Sequence, residues 1–128
     1  MLKSGDTILG SRDYDSIPHL WIALTDPNED GNIAIVNVTD FHNHEDKTTV
    51  LKPGDHPFIT KESIVLYQDA RIVPAASLLN AMKNGRGCVP RESCSVEMMH
   101  KLRTGIFASD HTPNGVIEFC SDSWNTKA

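Results

Sequence analysis

The hydrophobic period of this chain changes once, at Pro74, and that change limits what it can fold into. Before Pro74 lie short β-rich runs separated by turn residues; after it, apolar residues recur at helical spacing among strong helix formers. An α+β domain, mainly β with C-terminal helices, is the expected class. At 128 residues the chain has the length of one domain, since two halves would be too small to bury good cores. The expected layout is a sheet or small barrel over about residues 5–73 and a helical part over about residues 74–120.

Within the β part, Asp6–Gly10 reads as a first strand, followed by a polar loop over Ser11–Pro18. His19–Leu24 is apolar enough to be a strand buried on both faces. Asp26-Pro27-Asn28-Glu29-Asp30-Gly31-Asn32 then supplies the fixed and positive φ angles of a turn. Asn32–Val38 alternates, which makes a hairpin across that turn the strongest local expectation. Thr48–Leu51 and Ser63–Val73 complete the strands, with Ile64 and Leu66 on one face and Val65 and Tyr67 on the other. Several short strands bounded by such turns suggest a small barrel.

Pro74–Gly85 predicts a helix with proline in its first turn and a left-handed glycine stop. Ser95–Thr104 predicts a second, ended by Gly105, and Thr112-Pro113 an N-cap leading a short helix to Phe119. Met82, Met98 and Met99 are expected as core filler, Trp21 as buried, and Trp124 as loosely packed. Aromatic content of 6% offers no base-stacking platform.

Charge and cysteine usage narrow the partners. A net charge of −5 gives no long-range attraction to a polyanion, so any RNA contact requires a local basic cluster. The three cysteines, Cys88, Cys94 and Cys120, have no CxxC spacing, so neither a disulfide framework nor a zinc site is expected and a reducing cytoplasm suits them. Met1–Asp6 has no apolar run behind Lys3, and no later stretch is long enough to span a bilayer, so neither a secretory leader nor a membrane partner is expected.

Gly54-Asp55-His56-Pro57-Phe58 is the most distinctive string. It reads either as a structured turn or as a site in which Asp55 orients His56. His42 and His44 alternate in a polar loop and would share a face if that loop were extended; solvation is their plainer reading, and no metal is expected.

Three segments, in order, resemble the MazF/PemK (CcdB/PemK-type) toxin family: Gly5-Asp6-Thr7-Ile8, Val36-Asn37-Val38-Thr39-Asp40, and above all Ser63-Ile64-Val65-Leu66-Tyr67-Gln68-Asp69-Ala70-Arg71-Ile72-Val73-Pro74 leading into a helix. The resemblance covers about residues 5–105 by order and spacing more than by identity. It implies a small SH3-like β-barrel, usually dimeric, that cleaves RNA without a metal or other cofactor. It also implies a toxin–antitoxin or phage-defence setting with an antitoxin or other protein partner.

Metal-free RNA cleavage needs a base near the ribose 2′-hydroxyl, an acid for the leaving oxygen and a cation on the phosphate. By this resemblance Arg71 takes the strand-arginine position and Thr39 the active-site threonine, while His19 lies near a pair that precedes the second strand. His19, Thr39, Arg71 and His56 are thus the candidate catalytic set, with Arg12 and Asp55 as substrate-binding candidates. Each has a structural alternative: Arg71 paired to Asp69 or another carboxylate, Thr39 as a turn former, His19 as a strand-starting core residue. The chain also departs from the family, having Ser16-Ile17-Pro18 where a catalytic loop arginine is expected, with Arg12 the only arginine of that loop. Loss of one preorganised donor costs about 100- to 1000-fold in rate, so a non-catalytic protein-binding module on the same barrel is the alternative reading.

Overall fold

A computed structural model describes residues 2–11, 17–41, 46–85 and 87–125. Six strands, β1 (Thr7–Ser11), β2 (Pro18–Ala23), β3 (Asn32–Asp40), β4 (Val50–Leu51), β5 (Ser63–Pro74) and β6 (Val89–Arg91), form one antiparallel sheet in the order β4-β5-β3-β2-β1-β6. Helix α1 (Ala75–Lys83) follows β5 directly, and α2 (Val96–Ala108) and α3 (Asn114–Asn125) close the chain. The sheet curls into a half-barrel: among the described residues no ladder joins β4 to β6.

The expected hairpin forms between β2 and β3. Asn28 Oδ1 accepts from the N–H groups of Asp30 (3.0 Å) and Asn32 (2.9 Å), and Gly31 supplies a φ of +79°. Both strands are near-continuously apolar because both of their faces are covered. Leu20, Ile22, Ala34, Val36 and Val38 enter one core cluster with Val65, Tyr67 and the α2–α3 residues Met98, Leu102, Ile106, Val116 and Cys120. Trp21, Ala23, Ile33 and Ile35 enter a second, covered by Leu78, Leu79 and Met82 of α1. Val65 and Tyr67 share the first face, as their alternation predicts. Further along, between the pairs Asn37↔Leu66 and Ile35↔Arg71, β5 spends four residues where β3 spends only Val36. This wide bulge resets which side chains of β5 face which cluster.

The switch at Pro74 is where the period predicted it, with Pro74 flanking α1 in extended backbone and Gly85 at a φ of +64° beyond its end. Ser95 caps α2 by accepting from Met98 N–H at 3.1 Å. Gly105, expected to end α2, lies inside it, and the helix runs to Ala108. The reason is packing: a Cβ there would come within 1.8 Å of the Tyr67 phenol oxygen. That phenol bonds Thr49 Oγ1 at 2.7 Å and donates to Leu102 O at 3.1 Å. Helix α3 is longer than expected, and Thr112 does not cap it with its hydroxyl, which is buried without a partner. Trp124, expected to be loose, donates to Leu24 O at 3.2 Å and packs against the first core cluster.

A buried carboxylate locks the C-terminal end of α2 to the approach to β4. Asp46 accepts from Thr48 N–H (3.1 Å), Thr48 Oγ1 (2.6 Å) and Ser109 Oγ (2.8 Å). Burial alone raises the carboxyl's pKa, but these hydrogen bonds and the charge of His111 outweigh it and hold the group below the usual carboxylate range.

Candidate functional site

The curl of the sheet builds a cleft of about 660 Å³ that no single strand could outline. Pro18 and His19 at the start of β2 and Val38, Thr39 and Asp40 at the end of β3 form one wall. Pro57, Phe58 and Ile59 and the residues Thr60, Lys61 and Ser63 form another, and Arg91 reaches in from β6. Arg91 gets there because His56 ties the two parts together: its Nε2 lies 2.6 Å from Glu92 O, and the Arg91 guanidinium rests 5.5 Å from the Phe58 ring centroid.

His19 is only 8% exposed, and its Nδ1 sits 3.2 Å from the carbonyl oxygen of Val38. A carbonyl can only accept, so Nδ1 carries the proton of that hydrogen bond, and in the neutral imidazole the lone pair falls on Nε2. Thr39, one residue further along the neighbouring strand, is also buried on this cleft. The basic groups of the cleft each have a carboxylate at hand. Lys61 Nζ stands 2.7 Å from Asp40 Oδ2, and Arg91 Nε 3.2 Å from Glu92 Oε1.

Of the six residues singled out from sequence, the five that are described are dispersed. His19 and Thr39 meet in this cleft. Arg71 does not join them: it pairs with Ile35, four residues from Thr39 along β3, a separation of about 13 Å. Its guanidinium lies 5.2 Å from the Trp21 ring centroid, its Nε donates to Asp69 O at 3.2 Å, and it lines a separate groove of about 170 Å³ with Trp21, Ile35 and Cys88. His56 is buried and uses both ring nitrogens structurally, Nδ1 accepting from Phe58 N–H at 3.0 Å within its own turn and Nε2 donating to the distant Glu92 O. Asp55 does not serve it as an orienting carboxylate through any described contact. Asp55 Oδ2 accepts from Lys52 N–H at 2.8 Å and faces Lys101 Nζ at 3.6 Å. Arg12, His42 and His44 lie outside the described residues.

Sequence reasoning missed Lys61, Arg91 and Phe58. Arg91 carried no signal, because its strand is three residues long, contains Pro90, and pairs with β1 far away in the chain. Among the described residues no group of three or more His, Cys, Asp or Glu side chains is placed to hold a metal ion, and no helix is long and apolar enough to cross a membrane. Cys120 is buried and Cys94 half-buried, and burial pushes the pKa of both thiols up to about 12, which suits packing and not nucleophilic chemistry. No protein-family model and no curated protein matches the chain.

Proposed function

We propose that the domain binds an RNA phosphodiester in the His19 cleft and cleaves it without a metal, as a toxin-like endoribonuclease on a half-barrel variant of the SH3-like MazF/PemK fold. The observation that carries this reading is the meeting of His19 and Thr39, from adjacent strands, with Lys61 and Arg91 in one cleft. On this reading His19 Nε2 takes the proton of the ribose 2′-hydroxyl, and the 2′ oxygen attacks phosphorus. The bond to the 5′ oxygen then breaks, that oxygen taking a proton from water, and a 2′,3′-cyclic phosphate is left. Arg91 and Lys61 turn from their carboxylates to the phosphate, and the Thr39 hydroxyl donates to one of its oxygens. Arg71 and His56 support the walls and take no part.

The test is incubation with a mixed RNA pool, with and without a chelator. Chelator-resistant cleavage is expected, falling about 100- to 10,000-fold in His19→Gln and about 100- to 1000-fold in Arg91→Ala, with circular dichroism confirming that both variants fold. Wild-type protein that leaves every RNA intact ends this reading.

A second reading has its own support. The cleft is lined by Ile17, Pro18, Pro57, Phe58 and Ile59, and the net charge of −5 opposes a polyanion. A non-catalytic module that grips an antitoxin or other protein through this cleft fits both facts. Absence of cleavage together with a co-purifying partner whose binding is lost in Phe58→Ala would favour it.

A further inference from the structure

The His19 cleft holds an ion pair whose two members are unequally placed. Lys61 Nζ lies 2.7 Å from Asp40 Oδ2, with the lysine side chain 70% exposed and the aspartate side chain 26%. The carboxylate, at the end of β3, is the fixed partner, and the lysine on its flexible stem is the movable one. Asp40 is also the one carboxylate in the described lining of the cleft. It directly follows Thr39, and successive side chains of a strand diverge, so the two residues address different parts of a bound molecule. In the same lining Ile17, 63% exposed, and the exposed Pro57 leave apolar surface uncovered.

In the proposed reaction Lys61 turns to the phosphate, Asp40 loses its lysine, and another donor must replace it. An ionised carboxylate only accepts, and its two oxygens suit two parallel N–H groups. Single-stranded RNA exposes the Watson–Crick edges of its bases. Guanine alone sets two donors side by side on that edge, N1–H and the 2-amino group. Adenine and cytosine put a bare ring nitrogen beside one amino group, and uracil has a single N–H between two carbonyls, so all three turn an acceptor toward a carboxylate. We infer that Asp40 determines the specificity of the cleft and selects a guanine base, on the nucleotide whose 2′-hydroxyl attacks. This rests on the nuclease reading above and adds the substrate class to it. Base, 2′-hydroxyl and 3′-phosphate spring from one ribose, so a single nucleotide engages Asp40, His19 and Lys61 together while the flat base lies against Ile17 and Pro57. Guanine is then also a trigger. By occupying Asp40 it frees Lys61 for the phosphate, whereas a wrong base leaves the ion pair closed.

Calorimetric titration of the full chain with guanosine and adenosine 3′-monophosphates tests the selection without any need for turnover. The guanosine nucleotide is expected to bind at least about tenfold tighter. The inosine nucleotide, which keeps N1–H and lacks the 2-amino group, should fall between them. Asp40→Asn places a donor where an acceptor stood, and should bring the guanosine and adenosine affinities within about threefold of each other. Lys61→Gln should keep the preference for guanosine, since Asp40 remains. Circular dichroism confirms that both variants fold. No binding below about 1 mM nucleotide overturns the inference. So do equal affinities, an inosine nucleotide that binds as tightly as guanosine, or a preference that survives Asp40→Asn. Cleavage sites mapped in a mixed RNA pool separate this inference from the nuclease reading. Cuts that follow guanine support both, and cuts without base bias overturn the specificity alone. Guanosine-selective binding by a protein that leaves RNA intact removes the nuclease and retains the guanine site.

Discussion

The two faces of the sheet carry different loads. The face toward α2 and α3 is filled by Leu20, Ile22, Val36, Val65 and Leu102, and the Tyr67 phenol buried there is bonded on two sides. The opposite face is shared between an apolar patch under α1 and a polar one. Asn37 on that face is wholly buried, and although its Nδ2 donates to Asp69 Oδ2 at 3.3 Å, its Oδ1 has no partner. His19 and Thr39 stand on the same stretch of β2 and β3. A buried polar group left unpaired gives up stability of about 1–3 kcal/mol; Asn37 Oδ1 is such a group on the face that bears the cleft, and the Thr112 hydroxyl is another, between α2 and α3. Apolar packing dominates the first face, and the second bears the polar cleft.

The sharpest way to break this contrast is Gly105→Ala. In an ordinary helix interior alanine is better than glycine by about 0.5–1 kcal/mol. Here the added carbon would meet Tyr67 and Thr49, and we expect a loss of about 3 kcal/mol in denaturant unfolding. A stabilised Gly105→Ala would show that the packed face is loose. Next in size is Asp46→Asn, expected to cost about 2 kcal/mol at neutral pH through its charge-assisted hydrogen bonds. Because the folded pKa of Asp46 is depressed, its contribution is complete above the unfolded carboxylate value of about 3.9 and fades as the pH falls through the lower folded value. The gap between wild type and Asp46→Asn should therefore narrow only below about pH 4. A gap that closes between pH 7 and pH 5 would assign the effect to another group.

The smallest effect sharpens the contrast within the second face. Arg71→Ala removes a guanidinium from over Trp21 and should cost about 0.5–1 kcal/mol of stability. RNA cleavage, if the His19 cleft performs it, should be unchanged. A large drop in cleavage with little change in unfolding would return Arg71 to the reacting centre.

Much of this architecture is local, and the local part is readable. The Asn28 side chain and Gly31 make the β2–β3 turn from residues adjacent in sequence, and Ser95 caps α2 within its own first turn. His19 and Thr39 entered as candidates through the family resemblance, and the strands whose ends they occupy are readable from the sequence. Arg91 and Lys61 did not enter, since neither the pairing of β6 with β1 nor the His56 link to Glu92 has a sequence period. Arg71 was misplaced for a related reason. Counting along β5 cannot foresee a bulge whose extra residues are set by packing on β3.

While β3 was expected to alternate and β6 was not foreseen, the order of residues by itself determined the change from strand to helix at Pro74, the turn between β2 and β3, the start of α2, and that β2 would be covered on both faces. These depend on contacts a few residues apart, whose energies do not require the rest of the chain. Tertiary structure alone decided that Gly105 continues a helix instead of ending it, that the sheet curls until β6 approaches Phe58, and that His19 shares a cleft with Arg91 while Arg71 does not. Each of those outcomes turns on the distance between side chains far apart in sequence, and that distance exists only once the chain has closed on itself.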